Sequence, residues 1–177
     1  MNKKTPNEAL DRLTESEFQE ADKTPIIIVL DNVRSAQNVG SIFRTADSFL
    51  IQKIILCGIT PTPPSREINK TALGSTESVS WSYEESTLEA LKRLKDEGTV
   101  CIAVEQTEDS IKLDRAEIEK SKKYALIFGN EVDGVDQEVI DACHGSVEIP
   151  QYGTKHSLNI SVCAGIIVWE FFQLLKP

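Results

Sequence analysis

An α/β fold, a mostly parallel sheet flanked by helices, follows from three observations. The run IIIVLD at 26–31 is continuous and β-branched, the pattern of a strand covered on both faces. Short apolar runs recur at 53–57 (KIILC), 99–104 (TVCIAV), 124–128 (YALIF) and 146–149 (SVEI). Helical stretches separate them, and strands alternating with helices argue for a parallel sheet. The 177 residues suit one domain with a full core.

Taken in order, residues 7–22 (NEALDRLTESEFQEAD) read as a short charged helix with Leu10, Leu13 and Phe18 as anchors. They give an N-terminal helical extension, 1–24, ahead of a main domain over 25–177. After the first strand a helix is predicted over 38–50. At about 100° per residue Val39, Ile42, Phe43, Ala46, Phe49 and Leu50 form one stripe, and Arg44 faces the other way. Segment 58–80 is polar and holds Pro61, Pro63 and Pro64, so a long surface loop is predicted there, with a short helix near 66–73. Further helices are predicted at 84–97, 135–142 and 157–175. The last is apolar enough to raise the question of a membrane. Asn159, Ser161, Glu170 and Gln173 lie within it, and a charge facing lipid is costly, so a buried or dimer-interface helix is the expectation.

Composition narrows the function classes. Hydrophobic residues make up 40% and charged residues 27%, as in a globular chain. The start, MNKKTPNEALDR, lacks the apolar core of a signal peptide. Cys57, Cys101, Cys143 and Cys163 are scattered without a CxxC pair, which predicts reduced, packed thiols and a cytoplasmic location. With only two histidines and no cysteine ligand pattern, no metal site is expected. The net charge of −9 argues against coating nucleic acid by charge alone. Residues 32–76 nevertheless hold Arg34, Arg44, Lys53, Arg66 and Lys70 against Asp47 and Glu67, a local +3 that would meet a polyanion.

Ligands of parallel α/β sheets bind where loops leave the carboxyl ends of strands. Three such loops are polar here. In the first, LDNVRSAQNVGSIFRTADSF (30–49), Asn32, Gln37 and Asn38 crowd the approach to a helix that presents Arg44. Gly40 leaves that face open to close approach, and the arrangement suits a sugar-phosphate. In the second, ALIFGNEVDGVDQEV (125–139), a strand ends at Gly129, turns through Asn130 and Glu131 and re-enters a helix after Gly134. Glu131, Asp133, Asp136 and Glu138 would repel a pyrophosphate and accept a cation. In the third, IPQYGTKHSLNIS (149–161), Gly153 suits a tight turn and Ser157 a helix cap. Asn159 is a poor choice inside an apolar helix, and a cap at Ser157 leaves it unexplained.

Together these loops resemble the SpoU (TrmH-like) branch of the SPOUT RNA methyltransferases. The first carries that family's opening motif at Asn38, Gly40 and Arg44. The second carries GNE followed by a glycine, Gly129-Asn130-Glu131 and Gly134. The third carries the closing pattern at Ile149, Pro150, Gly153, Ser157, Leu158, Asn159 and Ser161. The resemblance covers about residues 25–175. It implies the SPOUT α/β-knot fold with a C-terminal deep trefoil knot, which topology rules alone would not suggest. It implies S-adenosylmethionine as cofactor, transfer of its methyl group to a ribose 2′-hydroxyl of tRNA or rRNA, and a homodimer. By the same resemblance Val104, Gly129, Ile149 and Leu158 would contact the cofactor, largely through main-chain groups. Arg44, Asn38, Glu131, Ser157 and Asn159 would line the reaction centre. Arg44 would grip the adjacent phosphate and stabilise charge on the attacking oxygen, since a guanidinium holds its proton too strongly to act as a base. Glu131 would favour the sulfonium or accept the proton.

Two other readings compete. One is a catalytically inactive knotted module that binds RNA or S-adenosylmethionine. The other is a nicotinamide-dependent oxidoreductase, which would want a GxGxxG turn where this chain has DNVRSAQ.

Overall fold

The structure is a computed structural model that describes residues 2–6 and 9–177. Its elements run α1 (Glu15–Glu20), β1 (Thr24–Asp31), α2 (Ala36–Ser48), β2 (Ile51–Cys57), α3 (Arg66–Ala72), α4 (Ser75–Ser78), β3 (Trp81–Glu84), α5 (Thr87–Asp96), β4 (Val100–Val104), β5 (Ile111–Lys112), β6 (Tyr124–Phe128), α6 (Gln137–Ala142), β7 (Gly145–Glu148) and α7 (Ile160–Leu175). One seven-stranded sheet has the order β3-β2-β1-β6-β4-β7-β5, and every pairing is parallel.

The β-branched run behaves as expected of a strand buried on both sides. Ile26, Ile28 and Leu30 of β1 point into one core with Val39, Ile42 and Phe43 of α2 and Ala164, Ile167 and Val168 of α7. Ile27 and Val29 point into a second core with Ala90, Leu91 and Leu94 of α5 and Val139 of α6. Helices α2 and α7 therefore lie over one face of the sheet and α5 and α6 over the other. The alternation of strand side chains makes both layers necessary.

The elements differ from the expectation where local signals are weak. The predicted helix over 7–22 is regular only at 15–20; Asn7 and Glu8 lie outside the described residues. A capping box at Thr14 and Glu17 starts α1, and its buried Phe18 joins the first core. Gln19 Nε2 donates to Ser78 O at 2.7 Å, which ties α1 to α4. The helix predicted over 84–97 begins only at Thr87, capped by Ser86, because Trp81–Glu84 forms the edge strand β3. Four half-exposed residues at an edge carry too little pattern to read. The two-residue β5 escaped for the same reason.

Gly40 has a different job from the one expected. A Cβ there would lie 2.2 Å from both Ile68 O and Thr71 Oγ1. Its missing side chain lets α3 close against α2 and opens no path for a ligand. Asn32 is likewise structural: it adopts φ +54°, and its Oδ1 accepts from Ile59 N at 3.2 Å. It thereby brace-ties the ends of β1 and β2.

Candidate active site at the carboxyl ends of the central strands

The chain turns back at the carboxyl ends of β4, β6 and β7, and the loops there wall a cavity of about 570 Å³. The volume lies in the usual range for small-molecule sites. Val104, Gly129, Ile149 and Leu158 all line it, as do Glu131, Ser157 and Asn159. Asn38 stands at its edge through Glu131 and Asn159.

The second loop is a tight hairpin. Asn130 and Gly134 exchange main-chain hydrogen bonds at 3.0 and 3.1 Å. Asn130 Oδ1 accepts from the N–H groups of Val132 and Asp133, both at 2.9 Å. Gly129 is crowded from behind: a Cβ would lie 2.0 Å from Gly134 C and 2.1 Å from Val135 N. Only glycine lets the strand end meet its own returning loop.

At the hairpin's tip the Glu131 carboxylate crosses to the first loop. It accepts from Arg34 N at 3.0 Å, Ser35 N at 3.1 Å and Asn38 Nδ2 at 2.9 Å. Partial burial pushes its pKa up. Hydrogen bonds from Asn38 and from the Arg34 and Ser35 N–H groups outweigh that and hold it below the ordinary glutamate value. The Arg34–Asp133 pair, 3.8 Å apart and solvated, spans the same junction and adds little.

Asn159 corrects the reading of the third loop. It caps α7 itself, its Oδ1 accepting from Ser161 N at 2.9 Å and Ser161 Oγ at 2.7 Å. The helix starts at Ile160, so Ser157 is not its cap and faces the cavity instead. Asn159 Nδ2 donates to Asn38 Oδ1 at 3.2 Å. Asn38 in the first turn of α2, Glu131 in the hairpin and Asn159 at the cap of α7, spread over 121 residues, thus form one chain of hydrogen bonds. The donor and acceptor pattern fixes which way both asparagine amides point. Gly153 has open space around it and no left-handed backbone, so the turn there does not need glycine.

Arg44 is not brought to the cavity. It is exposed on α2 and lines a separate shallow depression with Ser41, Thr45, Ser48, Phe49, Lys70 and Thr71. Lys70 there is paired to Glu67 at 2.6 Å.

The cavity has a charge. Glu105, Glu131, Asp133 and Glu148 line it, and among the described residues no lysine or arginine does. Apolar Val104, Phe128, Val147, Ile149 and Leu158 make up much of the remainder. Such a wall suits a ligand that is partly flat and apolar and partly cationic. Sequence reasoning missed Glu105, Gln106, Phe128 and Cys163. An acid and an amide directly after the strand at 99–104 were the available signal, by the same strand-end rule that found the other loops.

Fold and site together define an α/β protein with a small-molecule cavity at the carboxyl ends of its central strands. The model of the SpoU rRNA Methylase family matches residues 25–169, and the chain belongs to that family. A tRNA (guanosine(18)-2′-O)-methyltransferase of Thermus thermophilus is 31% identical over 145 residues, 82% of this chain and 73% of that protein. A 23S rRNA (guanosine-2′-O-)-methyltransferase of Neisseria meningitidis is 27% identical over 156 residues, 88% of this chain and 61% of that protein. The crystal structure of an AdoMet-bound rRNA methyltransferase from Sinorhizobium meliloti superposes with a TM-score of 0.79 at 27% identity, over 90% of this chain and 61% of that one. The chain thus spans less than two thirds of the length of the Neisseria and Sinorhizobium proteins.

Proposed function

We propose that this chain is an S-adenosylmethionine-dependent RNA methyltransferase acting on a ribose 2′-hydroxyl of tRNA or rRNA. The observation that carries the reading is the Asn38–Glu131–Asn159 network at the edge of an acid-lined cavity. The residues present fit the cofactor. The strand end at Gly129, the apolar walls and the surplus of carboxylates match a nucleoside, a thioether-like chain and a sulfonium.

Val104, Gly129, Ile149 and Leu158 would hold S-adenosylmethionine, which supplies an electrophilic methyl group when bound. Asn38 and Asn159 orient the ribose, because each amide is already locked by a partner and loses little freedom on binding. The Ser157 hydroxyl extends that frame. Glu131 stays ionised and already accepts three hydrogen bonds, so it acts as an orienting anion rather than as the acceptor of the hydroxyl proton. Arg44, on the outer face with Lys70 nearby, suits an RNA phosphate flanking the target nucleoside.

A homodimer belongs to the same reading. Val162, Ile166 and Trp169 form an exposed stripe on α7, and Phe49 and Phe172 join Trp169 in an aromatic cluster with ring centroids 5.1 to 6.1 Å apart. A second copy would cover that surface. The trefoil knot is also part of it: the third loop would thread before α7 packs onto α2 and β1. Four free cysteines agree with a cytoplasmic location. Among the described residues, no helix is long and apolar enough to cross a membrane.

The test is transfer of a labelled methyl group from S-adenosylmethionine to unmodified tRNA and rRNA, with mapping of 2′-O-methyl sites. Transfer to ribose is expected. Cofactor binding without transfer to any RNA would favour an inactive module, and neither binding nor transfer would end the proposal.

A further inference from the structure

Glu105 and Gln106 follow β4 directly, and both side chains are committed to the cavity's walls. Glu105 is half-buried, and among the described residues no ion pair neutralises it. Its two oxygens are spent on main-chain donors: Oε2 accepts from Val135 N at 3.0 Å and Oε1 from Gln106 N at 2.8 Å. The carboxylate lies so close to Gly134, at φ +74°, that a Cβ there would come within 2.2 Å of Oε2. The Gly134–Val135 peptide it grips is the one packed against Gly129. Since the Asn130–Gly134 ladder makes the hairpin one rigid piece, fixing its heel also fixes Glu131 at its tip. Gln106 reaches the other wall, its Nε2 donating to His156 O at 2.8 Å. Residues 151–158 are all exposed, and among the described residues this is the one hydrogen bond that ties them to the rest of the chain.

We propose that Glu105 and Gln106 are positioning residues that clasp the second and third loops to the end of β4, so that both cavity walls stand ready before the methyl donor arrives. This rests on the reading of the cavity as the methyl-donor site. Loops ordered in advance spare the ligand the cost of ordering them, so loss of the clasp should appear as weaker binding. It should leave the packed cores alone, because neither side chain belongs to them.

The test is calorimetry of the full chain with S-adenosylhomocysteine, together with melting curves and amide exchange. Gln106→Ala is expected to raise Kd about tenfold, with the ligand-free melting temperature unchanged and faster exchange confined to residues 153–159. Glu105→Ala is expected to raise Kd by at least that factor and to loosen 130–135. Glu105→Gln should fall between it and the wild type, because each N–H group meets a different oxygen and the amide nitrogen that replaces one of them can only donate. In turnover the Gln106→Ala loss should fall on the KM for the methyl donor rather than on kcat, whereas Glu105→Ala, which also loosens Glu131, should lower kcat as well. Wild-type Kd in both alanine variants overturns the clasp. If Glu105→Ala fails to fold, Gln106→Ala alone decides, since its side chain is exposed. Absence of binding and of methyl transfer in the wild type itself would instead overturn the reading of the cavity.

Discussion

Replacing Glu131 by alanine removes the anion on which the first and second loops meet. Three donors lose their acceptor: Arg34 N, Ser35 N and Asn38 Nδ2, at 2.9 to 3.1 Å. A hydrogen bond to a charged group contributes about 1.5–3 kcal/mol where water is excluded. Solvent reaches this carboxylate, and water can replace it at the exposed N–H groups, so the sum is held to about 1–2 kcal/mol. For a domain of this size that corresponds to a drop of about 2–8 °C in melting temperature. Turnover should suffer more than stability. Asn38 keeps only its bond to Asn159, and a ribose held loosely by about 1 Å loses on the order of 100-fold in kcat. The acidic side follows from the sign of the pKa shift. Glu131 is held below its ordinary value when folded, so its contribution is present above the unfolded pKa and fades as pH falls through the lower, folded one. The gap in melting temperature between wild type and Glu131→Gln should therefore be flat near neutrality and close only in acid. Thermal melts across pH, with single-turnover methyl transfer, measure both effects. A Glu131→Ala protein with wild-type melting and turnover within about twofold would refute the argument that this anion joins the loops. A rate limb at neutral pH that vanishes in Glu131→Gln would show that Glu131 takes the proton after all.

Arg44→Ala should abolish turnover while leaving the Kd for S-adenosylhomocysteine nearly unchanged, since Arg44 lies outside the cavity; equal loss of both in calorimetry and rate assays would make it structural. Gly40→Ala drives a Cβ to 2.2 Å from Ile68 O and should cost about 1–3 kcal/mol in denaturant melts as α3 is pushed off α2; an unchanged midpoint would show that the helix pair gives way freely. Trp169→Asp places a charge in the exposed aromatic cluster of α7 and should shift the particle to monomer mass in light scattering; a wild-type protein that is itself monomeric at micromolar concentration would remove the dimer from the reading.

Much of the site was legible because the sequence writes it in main-chain and polar residues at strand ends. The unbroken run at 26–31 announced a doubly covered strand, and both cores confirm it. Val104, Gly129, Ile149 and Leu158, carried over from motifs, converge on one cavity although they lie 54 residues apart at the extremes. What failed were assignments that depend on a neighbour. Gly40 read as an opening for a ligand, but its reason is α3, which no local pattern announces. Asn159 read as an anomaly inside a helix that was expected to begin three residues earlier. It is the cap, and Ser157 is thereby free.

Alone, then, the chain's order of residues determined five of the seven strands, the helices that flank them and the polar loops at the sheet's carboxyl edge, because those depend on periodicity and composition within a few residues. Only the folded molecule decided that Asn38 bonds to both Glu131 and Asn159, that Arg44 stands apart from them, and that Glu105 and Gln106 brace the cavity. Those contacts link residues 30 to 121 positions apart. Their existence depends on which strand ends the parallel crossovers bring side by side, and no local spacing encodes that.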